Sequence, residues 1–266
     1  MMPLNLILVR HGQSIANWIN DLIRADHYNQ VPTRFYGVPI WRLCLTELGQ
    51  TQADLASNWL DQYFGLAAIS AAFHSPYVRA IETASHIRLI GRIWRENAVI
   101  RERSWGDMDH VPTPEEYERY RFAKVNKSPD LCWQPPNGEE MMALSDRLST
   151  FYGTLHRQHA YDNAICVMHG ESIVAIKMDL ERIHRVEANQ MIERKDPILS
   201  IPNCGITQYT RVNPSDHNKI HNHLTWVREI DPTNPPSDPD SLWREIKRPK
   251  LSSVQLGELV SNYGIK

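Results

Sequence analysis

The chain predicts a three-layer α/β/α sandwich with a mostly parallel central sheet, on three observations. Runs at Leu4–Val9, Ala67–Phe73 and Asn163–Met168 are apolar and lack a 3.6-residue period, so they read as buried strands. Each ends in a short polar junction and then enters a helical pattern, the alternation that builds a parallel sheet with helices on both faces. The chain has 266 residues, 42% of them apolar and 23% charged, which suits one large α/β domain with or without an appendage.

Leu4–Val9 runs into Arg10-His11-Gly12. The next segment, Ser14–Ile23, reads as a helix whose N-terminus aims N–H groups and partial positive charge toward Arg10. Asp26–Leu45 holds Pro32, Gly37 and Pro39 and reads as a loop over the mouth of any site there. Its aromatics Tyr28, Phe35, Tyr36 and Trp41, with Trp18 before them, are candidates to line that mouth. Thr46 is an N-cap type and opens a helix with Leu48, Leu55, Trp59, Leu60 and Tyr63 near one face, ended by Gly65. Ala67–Phe73 leads through His74-Ser75-Pro76 into a helix carrying Arg79, with Pro76 suited to its first turn.

Trp94–Arg101 is a third strand candidate, Pro112–Lys127 a charged helix, and Ser128–Gly138 a proline-bearing loop. Glu139–His159 is a long amphipathic helix with Leu144, Leu148, Phe151, Tyr152 and Leu155 as its buried stripe. Asn163–Met168 ends at His169-Gly170-Glu171-Ser172 and enters a helix, Ile173–Ile183, repeating the arrangement at His11. Gly205–Thr210 is strand-like, and Leu224–Ile230 alternates like an outer strand. From Asp231 prolines accumulate, and Val254–Tyr263 can form a terminal helix. Residues 1–230 therefore read as the domain and 231–266 as a proline-rich extension. That extension is free to cover the site, join two chains into a homodimer or extend into solvent.

With 29 Lys and Arg against 31 Asp and Glu the formal charge is −2, so nothing draws the chain globally to nucleic acid or an anionic membrane. No apolar run is long enough to span a bilayer, and no secretory leader pattern opens the chain. Cys44, Cys132, Cys166 and Cys204 are scattered without a CxxC pair, which predicts a reducing, cytoplasmic setting and no zinc cluster. His217, His221 and His223 sit in a polar stretch and read as solvated surface.

A parallel sheet would bring Arg10, His11, Arg79 and His169 together at one rim. Two guanidinium forks, imidazoles and a helix N-terminus suit a tetrahedral dianion, and Asn17 can add a neutral donor. No metal or cofactor is needed if the arginines carry the charge.

Arg10-His11-Gly12, Ser75-Pro76-x-x-Arg79-Ala80-x-x-Thr83, Glu102 ahead of Trp105-Gly106, and His169-Gly170 resemble, in order and spacing, the motifs of the histidine phosphatase superfamily, the phosphoglycerate mutase-like family. Thr46-Glu47-Leu48-Gly49 and Pro136-Asn137-Gly138-Glu139 are similar to its weaker marks, and the resemblance ends near Val212. It implies a phosphoglycerate mutase-like fold and two-step phosphoryl transfer to and from His11. Arg10, Asn17, Arg79, His169 and Gly170 would hold the phosphoryl oxygens, and Glu102 would serve as proton donor. Asp107 and Asp109 lie close enough in sequence to be alternative acids. Arg103 follows Glu102 as in mutases, but Trp105 stands where mutases carry a tyrosine, and no further basic cluster aligns. The resemblance therefore points to the phosphatase branch acting on a small phosphorylated substrate. The alternatives are a phosphoglycerate mutase-type transferase and a non-catalytic phospholigand-binding protein on the same fold.

Overall fold

The computed structural model describes residues 1–125, 131, 133–183, 185–194, 196, 199–248 and 250–263. The predicted loop at 128–138 and Cys132 lie partly or wholly outside them. Its centre is β1 (Asn5–Arg10), in which Leu6, Ile7, Leu8 and Val9 are fully buried. Alternate residues face opposite sides of the sheet. Leu6 and Leu8 pack with Phe151 and Ile173 on one side, and Ile7 and Val9 with Trp59, Leu60 and Ala80 on the other. That is why β1 reads as an unbroken apolar run: helices cover both faces.

Seven strands form the sheet. Besides β1 they are β2 (Ala71–His74), β3 (Trp94–Glu96), β4 (Asn163–Met168), β5 (Ile206–Thr210), β8 (Trp226–Ile230) and β9 (Arg244–Glu245). The order is β3-β2-β4-β1-β5-β8-β9. The strands β3, β2, β4, β1 and β8 share one direction, and β5 and β9 oppose it. A separate hairpin pairs β6 (Val212–Asn213) with β7 (Asp216–Ile220). One face carries α5 (Met141–Gln158) and α6 (Gly170–Glu181), and the other α2 (Glu47–Tyr63) and α3 (Val78–His86). At the site rim lie α1 (Ile15–Arg24) and α4 (Pro114–Val125), while α7 (Arg185–Glu193) and α8 (Ser253–Tyr263) complete the helices named here. The predicted three-layer α/β architecture is thus the observed one. No helix among the described residues is long and apolar enough to cross a membrane.

Four expectations need correction. The face of α2 that is buried is Gly49, Ala53, Ala56 and Ser57 with Trp59 and Leu60, whereas Leu48, Leu55 and Tyr63 are exposed. Small residues win because α2 lies against backbone: a Cβ on Gly49 would overlap the Gln13 carbonyl. The third strand stops at Glu96, since the Asn97 side chain accepts from Val99 N at 2.9 Å and starts a 3-10 turn over Ala98–Ile100. The mouth aromatics pack on one another, with Tyr28 stacked on Tyr36 and Tyr117 at 6.0 and 4.3 Å, and Trp41 is largely exposed. Finally, β8 is not the outer strand. The chain beyond Asp231 returns to pair β9 with β8 and buries Ile246 in the core.

Candidate active site

The rim at the carboxyl ends of β1, β2 and β4 is where the predicted residues meet. Strands β1 and β4 are neighbours with Arg10 opposite Met168, and His11 N donates to Met168 O at 2.9 Å. The two His-Gly junctions therefore lie side by side. Gly12 must be glycine because a Cβ there would overlap the Gly49 carbonyl. Thr83, one turn beyond Arg79 on α3, accepts from Gly12 N at 3.0 Å and donates to Arg79 O at 2.7 Å. The motif around Ser75 to Thr83 thus fastens the first junction to the third helix.

His11 is 2% exposed. Its Nδ1 lies 2.7 Å from the Gly12 carbonyl and its Nε2 accepts from Arg79 Nε at 3.0 Å. An acceptor on one side and a donor on the other leave a single tautomer, with the proton on Nδ1. Burial, then the charges of Arg79 and Arg10, hold its pKa well below the usual imidazole value, so the ring is neutral.

His169 is fully buried, its ring centroid 5.2 Å from that of His11 at 61°. Its Nε2 is 2.7 Å from Ser75 Oγ. That hydroxyl accepts from Tyr77 N at 3.3 Å and keeps its own proton free to donate to Nε2, the arrangement that leaves the ring proton on the side facing the Glu102 carboxylate. His169 then carries its own proton on Nδ1, which is buried, has no hydrogen-bond partner and lies 3.9 Å from Glu102 Oε2. This use of Ser75 was not visible in the sequence. In the sequence the Ser75-Pro76 pair marks a helix start and part of the family-like motif, with no role for the hydroxyl.

Arg10 donates from NH1 to the Ile201 carbonyl, and its Nε is buried without a partner. Burial lowers its pKa and Glu102 opposes that shift. Asn17 completes a capping box with Ser14. Its Oδ1 accepts from Ser14 N and from Asn203 Nδ2, at 3.0 and 3.2 Å, so its amide nitrogen is the group left to donate. Gly170 opens α6, with His169 as its N-cap, and lies against Arg10. Arg79 contacts His11 and the Ile40 carbonyl, while Glu82 accepts from Leu45 N and Gln50, so α3 aims the guanidinium inward.

Glu102 reaches the same place from the loop after β3. Its side chain is 14% exposed, and burial followed by the Glu171 charge raises its pKa to about 7. The loop is pinned from behind. Arg147 binds the Glu139 carboxylate at 2.7 and 2.8 Å and the Glu102 carbonyl at 3.3 Å, and Ser104 N donates to Glu139 at 3.2 Å. Pro136 and Asn137 press on Gly106, whose φ of +58 and lack of Cβ allow the approach. Asp107 instead accepts from Asn137 at 3.0 Å, and Asp109 accepts from Ser104 Oγ and Trp105 N at 2.8 and 3.0 Å.

These groups open into a cavity of about 980 Å³ lined by Arg10, His11, Asn17, Arg79, Glu102 and Gly170 among others. Among the described residues, His11, Glu102 and His169 are the group with ligand atoms close enough to share an ion, within 4.8 Å. Two guanidinium groups at the same spot oppose a cation there and favour an anion. The cup can therefore bind a tetrahedral anion, present a neutral imidazole nitrogen to it and supply or accept a proton near neutral pH.

Residues 6–210 match the model of the histidine phosphatase superfamily (branch 1). The chain is 27% identical over 194 residues to the 2,3-bisphosphoglycerate-dependent phosphoglycerate mutase of Cytophaga hutchinsonii, covering 68% of this chain and 79% of that protein. It is 30% identical over 186 residues to the enzyme of the same name from Methylorubrum extorquens, covering 66% and 78%. Among solved structures it resembles mycobacterial glucosyl-3-phosphoglycerate phosphatase, with a TM-score of 0.56 at 19% identity over 85% of this chain and 96% of that one. It also resembles phosphoserine phosphatase from Entamoeba histolytica, with a TM-score of 0.54 at 19% identity over 80% and 92%. The cup, the motif order and these likenesses agree: the chain belongs to the histidine phosphatase superfamily, branch 1.

Proposed function

We propose that the protein is a phosphomonoesterase working through a phosphohistidine on His11. The observation that carries this reading is the fixed neutral tautomer of His11, with Nδ1 on the Gly12 carbonyl and Nε2 beside Arg79 in the cavity. In the first step the Nε2 lone pair attacks phosphorus in line and the bond to the leaving oxygen breaks. Arg10, Arg79, Asn17 and the Nδ1–H of His169 hold the equatorial oxygens, with Gly170 at the helix end beside them. Glu102, protonated below about pH 7, gives its proton to the leaving oxygen. In the second step the Glu102 carboxylate takes a proton from water, the water oxygen attacks phosphorus and the N–P bond breaks. Phosphate leaves, and His11 and Glu102 return to their starting forms.

The mutase names of the curated relatives favour a second reading, phosphoryl transfer between positions of one substrate. Arg103 speaks against it. Its guanidinium binds the carbonyls of Glu139 and Trp133 at 2.6 and 2.8 Å, approaches Glu171 at 3.5 Å and lies over the Trp105 ring. A cation so committed is not offered to a substrate carboxylate.

The test is hydrolysis of p-nitrophenyl phosphate in the presence of chelator by wild type and His11→Ala. Phosphate release by wild type, an acid-labile phosphoenzyme and loss of both in the variant are expected. Phosphate binding without turnover would indicate a binding protein, and conversion of 3-phosphoglycerate to 2-phosphoglycerate without phosphate release would indicate the mutase.

A further inference from the structure

Building on the phosphatase reading, we infer that the alcohol part of the substrate is an uncharged, largely apolar or aromatic body and not a second anionic group. The cavity divides into two regions. Its floor is the cationic cup. Beyond the cup its lining is apolar at Ile23 of α1, Ile40 of the mouth loop, Met108 and Tyr117, and polar at Asn20 and Ser200. Tyr117 is held as a flat panel by its stack on Tyr28 at 4.3 Å. At about 980 Å³ the space far exceeds a phosphate and a three-carbon acid, and it lies at the upper end of sites for drug-sized ligands.

The charges outside the cup point the same way. Among the described residues, the lysine and arginine side chains lining the cavity are Arg10, Arg79 and Arg24. Arg24 is 81% exposed and faces Asp21 at 3.8 Å, too solvated to fix an anion firmly. His110 lies 3.2 Å from Glu116. Against these stand Asp26, Glu102 and Glu171 on the cavity wall. Glu171 is near enough to Glu102 to raise its pKa, so its field covers the region where the leaving oxygen must sit. Arg103 NH1 stands 3.5 Å from Glu171 and offsets part of that field, but this guanidinium is held by the Glu139 and Trp133 carbonyls and does not line the cavity. A leaving group bearing a carboxylate or second phosphate therefore meets less favourable charge there than in the cup. An aryl or branched alkyl body meets fixed apolar walls.

The experiment compares equilibrium binding of 1-naphthylmethylphosphonate and 3-phosphonopropionate to the full-length protein by calorimetry. The phosphonate common to both occupies the cup, and neither ligand can be hydrolysed. The naphthyl ligand is expected to bind at least ~tenfold more tightly, and equal or tighter binding of the carboxylate overturns the inference. Ile23→Asn should weaken the naphthyl ligand roughly fivefold or more while leaving inorganic phosphate affinity in place. Glu171→Gln should narrow the gap by improving 3-phosphonopropionate. If Ile23→Asn weakens both ligands alike and Glu171→Gln leaves the gap unchanged, the inference falls. Because binding is read without turnover, a naphthyl preference in a protein that never releases phosphate from 1-naphthyl phosphate would overturn the phosphatase reading alone.

Discussion

Arg79 Nε donates to His11 Nε2 at 3.0 Å, so the guanidinium rests against the nitrogen on which the proposed phosphoenzyme forms. Its NH1 is tied to the Ile40 carbonyl at 3.0 Å and its plane lies over the Tyr77 ring. The fork is positioned before any phosphoryl group arrives. Arg79→Ala should therefore lower kcat/KM by about 10³-fold, comparable with removing a preorganised oxyanion donor. Arg79→Lys should remain at least ~tenfold impaired, because a point charge replaces a planar fork. Steady-state kinetics with p-nitrophenyl phosphate checks both, and a fully active Arg79→Lys enzyme would contradict the assignment.

The pH profile follows from two opposed shifts. Glu102 is raised to about 7, so its acid form prevails below that pH. His11 is lowered well below 6.5, so its neutral form prevails above that lowered value. The first step of the proposed reaction needs both forms, which sets an expected optimum on the acid side of neutrality with an alkaline limb near pH 7. Glu171→Gln removes a neighbouring charge and should move that limb to lower pH. The same shift bears on stability. A carboxyl raised in the folded state contributes stability below about 4.5 that is lost as pH climbs through 7. Glu102→Gln should thus stabilise the fold relative to wild type by on the order of 2–3 kcal/mol at pH 8.5 and by little at pH 4. Thermal or urea melts at the two pH values read this directly.

Ser75 Oγ lies 2.7 Å from Nε2 of His169 and, as donor, supports the tautomer with its proton on Nδ1. In Ser75→Ala that partner is gone, and the tautomer with Nδ1–H facing the cup loses its support. We expect kcat to fall roughly 10- to 100-fold with the His11 phosphoenzyme still formed, and Ser75→Thr to restore much of it. Nitrogen NMR of the His169 ring should show mixed tautomers in the alanine variant. A ring unchanged from wild type would remove this role from Ser75.

Ending the chain at Asp231 tests the extension. The segment that follows supplies β9 and Ile246, and Arg228 of β8 packs on Trp243 at 4.5 Å and donates to Asp240 at 2.8 Å. Truncation should expose the edge of β8 and remove a buried isoleucine, lowering stability by about 2–5 kcal/mol and promoting association. Unfolding midpoints and size-exclusion chromatography measure this. A truncated chain as stable as the whole would show that the extension is dispensable to the fold.

Strand-to-helix junctions were the most legible part of the sequence, because a strand buried on both faces must be apolar throughout while the ligand-facing turn must not be. Arg10, His11, Arg79, Asn17, Glu102, His169 and Gly170 all line the cavity or pack beside its floor. Contacts that depend on close backbone approach were not legible. The buried face of α2 is marked by glycine, alanine and serine, which carry no hydrophobic signal. The mouth aromatics misled for the opposite reason: large rings bury one another as readily as they face a ligand, and Tyr28 does so with Tyr36 and Tyr117. The short strand β9 is two residues long, below what periodicity can reveal.

His11 and His169 are 158 residues apart in the chain yet directly follow adjacent strands, joined where Arg10 pairs with Met168. The rest of the cavity lining comes largely from segments that leave that seam between β1 and α2 and between β3 and α5. Lineages can lengthen, shorten or rewrite those loops without disturbing the seam. An engineer can do likewise, grafting a different mouth onto an unaltered cup to change which phosphorylated ligand it admits.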